Sequence, residues 1–220
     1  MAADAPTLRR MLEEAADGRP PPPDGLHVMP APQGPVDAVV GFPFHNVVAT
    51  GVDADEVRTQ LDPDDPAGPL RATFLAWLAQ RLGTSAGSLD VVLACADAGA
   101  IAAPMSVTLT LATRTDLVLH PRVRRATEYR TDVIVAADDR LDAVAIAGRG
   151  LAGRWEISFE LDEQRRRGGL GKALAAHAAA LVPAGRPVFA QVAPANAASL
   201  RVLLSIGFRP IGAEVLFRRV

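Results

Sequence analysis

Residues 154–180 read Arg-Trp-Glu-Ile-Ser-Phe-Glu-Leu-Asp-Glu-Gln-Arg-Arg-Arg-Gly-Gly-Leu-Gly-Lys-Ala-Leu-Ala-Ala-His-Ala-Ala-Ala. Trp155, Ile157, Phe159 and Leu161 alternate with Glu156, Ser158 and Glu160, which is the period of a strand with one apolar face and one face carrying two carboxylates. Beyond the glycines, Leu170, Leu174, Ala178 and Leu181 recur at helical spacing until Pro183 ends the run. A strand feeding a helix through glycines presents free backbone N–H groups at the helix N-terminus, where the helix dipole also favours negative charge. The stretch therefore reads as a strand, an anion-binding loop and a helix.

Of two common anion loops, the sequence excludes one and weakens the other. A phosphate loop of the Walker type needs Gly where Arg166 stands and Ser or Thr where Ala173 stands. A dinucleotide fingerprint needs a third small residue where Leu174 stands, and no βαβ unit with a suitably placed acid follows. What remains is Arg166-x-x-Gly169-x-Gly171 directly after a strand. Further on, Pro187 to Val192 reads as a strand and Asn196 to Ile206 as a helix, followed by Gly207-Phe208. In these residues the second half of the chain resembles the GNAT acetyltransferase superfamily. That family has an acyl-CoA loop of the form Gln/Arg-x-x-Gly-x-Gly/Ala and, later, an Asn-x-x-Ala/Ser…Gly-Phe pattern, and Asn196, Ser199 and Gly207 fall at matching intervals.

With 220 residues, 49% apolar and 22% charged, the chain can build one large core or two small domains. A net charge of −2 gives no global field favouring nucleic acid or an acidic membrane, although arginine is concentrated locally in the second half. Cys95 is the only cysteine, which excludes an internal disulfide and a Cys-based metal cluster. His27, His45, His120 and His177 are too scattered to suggest a site, so no metal is expected. There is no charged-then-apolar leader and no long apolar span, which makes the cytoplasm the default expectation.

Taken in order, Asp4 to Asp17 is an amphipathic helix and Arg19 to Pro35, with Pro20-Pro21-Pro22-Pro23, an extended connector. Val36–Val40 and Val47–Thr50 suggest two strands. Asp53-x-x-Glu56 opens a short helix, and Pro69 opens another with a stripe of Leu70, Phe74, Trp77, Leu78 and Leu82. Ser88 to Cys95 is a buried strand, and the Ala/Gly-rich stretch Asp97–Met105 is the expected domain boundary. This divides the chain into an N-terminal α/β accessory region, 1–104, read as a degenerate relative of the second half, and a GNAT-like domain, 105–220. In the latter, strands are expected at Val107–Ala112, Thr131–Ala137, Ala143–Gly148 and Gly153–Leu161, a helical region at Asp116–Tyr129, and a closing strand pair at Phe208–Pro210 and Glu214–Val220. The fold class is α/β (α+β), a mixed sheet flanked by helices.

The resemblance implies an acyl-CoA-dependent N-acyltransferase that uses acetyl-CoA as co-substrate on a primary amine of a small molecule or peptide, and it leaves room for a homodimer. It places pyrophosphate on the amides of Arg166, Arg167, Gly168, Gly169, Leu170, Gly171 and Lys172, with Arg165 beside them. Pantetheine would lie along the backbone of Leu161, Asp162 and Glu163 where strands four and five part at a bulge, and Asn196 and Ser199 would complete the site. Glu160 and Glu156 resemble the family's general base. One departure stands out: where many members carry a tyrosine seven residues after the helix Asn, this chain has Leu203, and its only tyrosine, Tyr129, is on another element. The alternative is a GNAT-fold module that binds acyl-CoA for regulation without catalysis. A purely structural module is disfavoured by Gly169, Gly171 and Asn196.

Overall fold

The computed structural model describes residues 7–23, 25–101, 109–165 and 168–219. Leu8, Met11, Leu12 and Ala15 bury one stripe of helix α1 (Leu8–Ala16), which Thr7 caps by accepting the amide N–H of Arg10. The Pro-rich stretch, expected as a connector, contains strand β1 (Gly25–Pro30). It is an edge strand paired on one side only, a place where Pro30 and half-exposed side chains are tolerated, so its sequence lacks the usual alternation. Strands β2 (Val36–Phe42) and β3 (His45–Thr50) follow. Asp53 then caps α2 (Ala54–Thr59), accepting from the amides of Asp55 and Glu56. Helix α3 (Ala72–Arg81) starts after Pro69, which sits in a 3-10 turn, and leads to β4 (Asp90–Cys95).

In the second half, the expected first strand shrinks to β5 (Ala112–Thr113), with Val107 and Thr108 outside the described residues. Helix α4 (Pro121–Tyr129) starts later than the helical region expected from Asp116. Strands β6 (Thr131–Ala137), β7 (Ala143–Arg149) and β8 (Trp155–Leu161) form an antiparallel run. Then come α5 (Leu170–Ala180), β9 (Val188–Val192), α6 (Ala197–Ser205) and β10 (Arg209–Arg218). The closing pair expected at the C-terminus is this one strand, bulged between Pro210 and Gly212. A Cβ on Gly212 would run into the Gly41 carbonyl, so glycine is required for the strands to approach.

All ten described strands share one sheet, in the order β1-β3-β2-β10-β4-β9-β8-β7-β6-β5. Only β1/β3 and β8/β9 are parallel. Strand β4, from the first 104 residues, lies between β9 and β10, while β10, the last strand, lies between β4 and β2. Each half thus hands its final strand to the other. Alternation along β4 sends Val92 and Ala94 to the α1 side and Leu93 to the α5 side. Helices α1 and α4 therefore cover one face of the sheet, and α3 and α5 the other.

Candidate active site

Strands β8 and β9 pair at two positions only, Trp155 with Val188 and Glu156 with Phe189, and then part. The splay occurs without the expected bulge, because β8 keeps unbroken register with β7 from Trp155 to Leu161. A cleft of about 290 Å³ opens at this divergence. Asn196, Ser199 and Leu203 of α6 line one end, and Arg122, Arg125, Tyr129 and Arg130, in α4 and just after it, line the other. Asp90, at the start of β4, and Gln191 of β9 also face it.

The glycine loop leads into α5. Gly169 takes φ 85° as the N-cap residue, a conformation that favours glycine, and its carbonyl accepts from the amides of Lys172 and Ala173. The remaining first-turn amides have no partner within the helix, and Gly168, Gly169 and Lys172 are exposed. Gly171 is not demanded by the fold: a Cβ there would meet only Val202 Cγ2 at 3.4 Å. Arg166 and Arg167 lie outside the described residues. Arg165 turns towards Asp138 (2.6 Å) and Asp142 (3.7 Å). Of the backbone expected to meet pantetheine, the Asp162 amide is committed to the Asp142 carbonyl at 2.7 Å, Leu161 closes β8, and Glu163 begins a 3-10 turn. Asn196 caps α6, its Oδ1 accepting from the Ser199 amide at 3.1 Å, which places both at the cleft.

The two glutamates that the resemblance puts forward as the general base have different surroundings. Glu156 lines the cleft but is buried, with Oε1 accepting from Arg154 Nε (2.8 Å) and the Leu151 amide (3.1 Å), and Oε2 from Arg130 Nε (3.0 Å). Burial alone would raise its carboxyl, but Arg154 and Arg130 hold it below the usual range. Proton acceptance there would first have to break an ion pair. Glu214 shares Arg154 (2.6 Å), yet burial pushes its carboxyl up, since it has one arginine and the like charge of Glu156 nearby. Glu160 is exposed, pairs with Arg122 at 3.0 Å and does not line the cleft.

Several cleft residues escaped the sequence reading. Arg122, Arg125 and Tyr129 stand at i, i+3 and i+7 on α4, a helical face whose signal was available in the basic run 122–125. Asp90 heads an otherwise apolar strand, an anomaly visible in sequence, but its neighbours in space are not. His177, in the last turn of α5, is half-buried. Among the described residues no group of three or more His, Cys, Asp or Glu could hold a metal ion, and no helix is long and apolar enough to cross a membrane.

An antiparallel three-strand run, a fourth strand parting from its parallel neighbour and a glycine-capped helix between them make the second half of the chain a mixed α/β unit with a cleft at the strand divergence. Residues 157–217, a stretch that includes the glycine loop, Asn196 and Gly207, match the family model described as FR47-like protein, which is GNAT-related. No curated protein matches the chain. Among solved structures, it is similar to a GCN5-related N-acetyltransferase from Kribbella flavida, at 19% identity and TM-score 0.41, covering 66% of this chain and 64% of that one. It is also similar to an acetyltransferase of the GNAT family from Colwellia psychrerythraea, at 12% identity and TM-score 0.39, covering 68% and 63%. The chain thus spans just under two thirds of the length of either structure.

Proposed function

We propose that the protein is an acyl-CoA-dependent N-acyltransferase that moves an acetyl group from acetyl-CoA to a primary amine. The observation that carries this reading is the splay of β8 from β9 with the glycine-capped N-terminus of α5 beside it. Pyrophosphate would meet the amides of residues 168–171, and the thioester would reach the cleft between the strands, past Asn196 and Ser199. An open strand edge offers the pantetheine amides backbone partners in the manner of an added strand. Because alkyl ammonium groups have a pKa of about 10, transfer requires a group that removes a proton from the acceptor. A thiolate, with a pKa of about 8.5, can leave without a dedicated acid.

Acetyl-CoA at one hundred times its dissociation constant is expected to add about 2.7 kcal/mol of stability, read as a thermal shift. Gly171→Val should abolish that shift, since its side chain would stand where the ligand backbone approaches, while the unliganded fold survives because the site already has room for a Cβ. Thiol release from acetyl-CoA in the presence of an amine panel then tests transfer. No thermal shift with millimolar acetyl-CoA or CoA would overturn the proposal. A second reading, binding without transfer, is favoured by Leu203, which is buried and lines the cleft. A shift without thiol release from any amine supports that reading instead.

A further inference from the structure

The acceptor end of the cleft has a definite charge pattern. Arg122 is paired with Glu160 and Arg130 with Glu156, but Arg125 makes no ion pair among the described residues and lies 5.9 Å from the centroid of the Tyr129 ring. Asp90 is half-buried, and its side chain has no hydrogen-bond partner among the described residues. Burial pushes its carboxyl up from its ordinary value, and Arg125 is the cation whose field opposes this. One cation and one carboxylate, contributed by different halves of the chain, thus remain uncommitted in a single cleft.

Resting on the transferase reading above, we infer that the acceptor is a small zwitterion of the α-amino-acid type, its ammonium group facing Asp90 and its carboxylate held by Arg125. A purely cationic amine would enter beside Arg125, the one cleft guanidinium without an ion pair among the described residues, and like-charge repulsion from it disfavours such an acceptor. A carboxylate on the same molecule converts that repulsion into a charge-assisted bond. The volume of about 290 Å³, shared with the thioester end, keeps the acceptor small. In the reaction, the ammonium gives one proton to the Asp90 carboxylate, which passes it to solvent. The amine lone pair forms the C–N bond at the thioester carbon. The C–S bond breaks with its electron pair on sulfur, and the thiolate takes the second proton lost by nitrogen, giving the amide and free thiol.

The test uses the full chain, acetyl-CoA and matched probes: L-amino acids and the amines left by removing their carboxyl groups. Thiol release is expected with members of the amino-acid set and not with their decarboxylated partners. Asp90→Asn should lower kcat by roughly 10² to 10⁴-fold while leaving the acetyl-CoA thermal shift intact. Arg125→Ala, at an exposed position where the fold is not at risk, should raise KM for the amino acid roughly 10-fold or more with little change in kcat. Decarboxylated amines used as well as the amino acids, or an Asp90→Asn enzyme at wild-type rate, would overturn the inference. Acetyl-CoA binding with no transfer to either set would overturn it too. A wild-type protein that acetyl-CoA fails to stabilise would overturn the transferase reading itself, a distinguishable failure.

Discussion

Residues 105–220 produced alone are expected not to fold. In the intact chain β10 is paired on both sides by strands from the first 104 residues, β2 and β4, and β9 is paired on one side by β4. The truncated segment would leave both edges of β10 and one edge of β9 without ladder partners. It would also strip Val92 and Leu93 from the core, each buried to within 1% of complete and contributing about 1.5–3 kcal/mol. Against a typical total of about 5–15 kcal/mol for a domain, these two side chains alone remove about 3–6 kcal/mol, to which the missing strand pairings add. The measurement is circular dichroism and thermal melting of the isolated segment, followed by co-expression with residues 1–104, which should restore a cooperative melt in a complex of both pieces. A cooperative melt of the segment alone would mean that β10 closes onto β9 without β4.

Arg154→Ala is expected to cost about 3–5 kcal/mol, because it leaves Glu156 and Glu214 buried without their shared cation. The Arg154 side chain has no exposed surface, and its guanidinium carbon also lies 5.2 Å from the centroid of the Phe189 ring. Burial would lower its pKa, but Glu214 and Glu156 outweigh burial and raise it, so it stays charged throughout the accessible pH range. The two acids act oppositely with pH. Glu156, held low, contributes stability that is present above the ordinary Glu pKa and lost as pH falls through its depressed folded value. Glu214, pushed up, costs stability as pH rises from its ordinary value through its raised folded one. Denaturant unfolding of the wild type and variant at neutral pH gives the difference directly, and a change below about 1 kcal/mol would show that the pair is dispensable.

What could be read from the sequence was local. The alternation of Trp155 to Leu161 placed β8, the glycines placed the start of α5, Thr131–Ala137 was found where its pattern put it, and Asp53 caps its helix as the spacing suggested. Each of these is fixed by residues within a few positions of one another. The strand exchange was not legible, because a buried apolar strand such as β4 does not say which edge it joins. Strand β1 was hidden by the prolines and polar residues that an edge strand tolerates. The same limit applies to the site: Glu156 looks like an outward-facing acid on a polar strand face until Arg154, Arg130 and the Leu151 amide are seen around it. Asp90 acquires its setting only when β4 from one half meets α4 from the other.

Amide hydrogen exchange of the full chain with and without acetyl-CoA tests the central claim most directly, because it reports where the ligand sits as well as whether it binds. Slowed exchange is predicted in 168–174, at the start of α5, and in 188–199, where β9 leads into α6. Binding that leaves both segments unprotected, or that protects only the β1–β3 edge of the sheet, would contradict the assignment of the β8/β9 cleft as the acyl-CoA site.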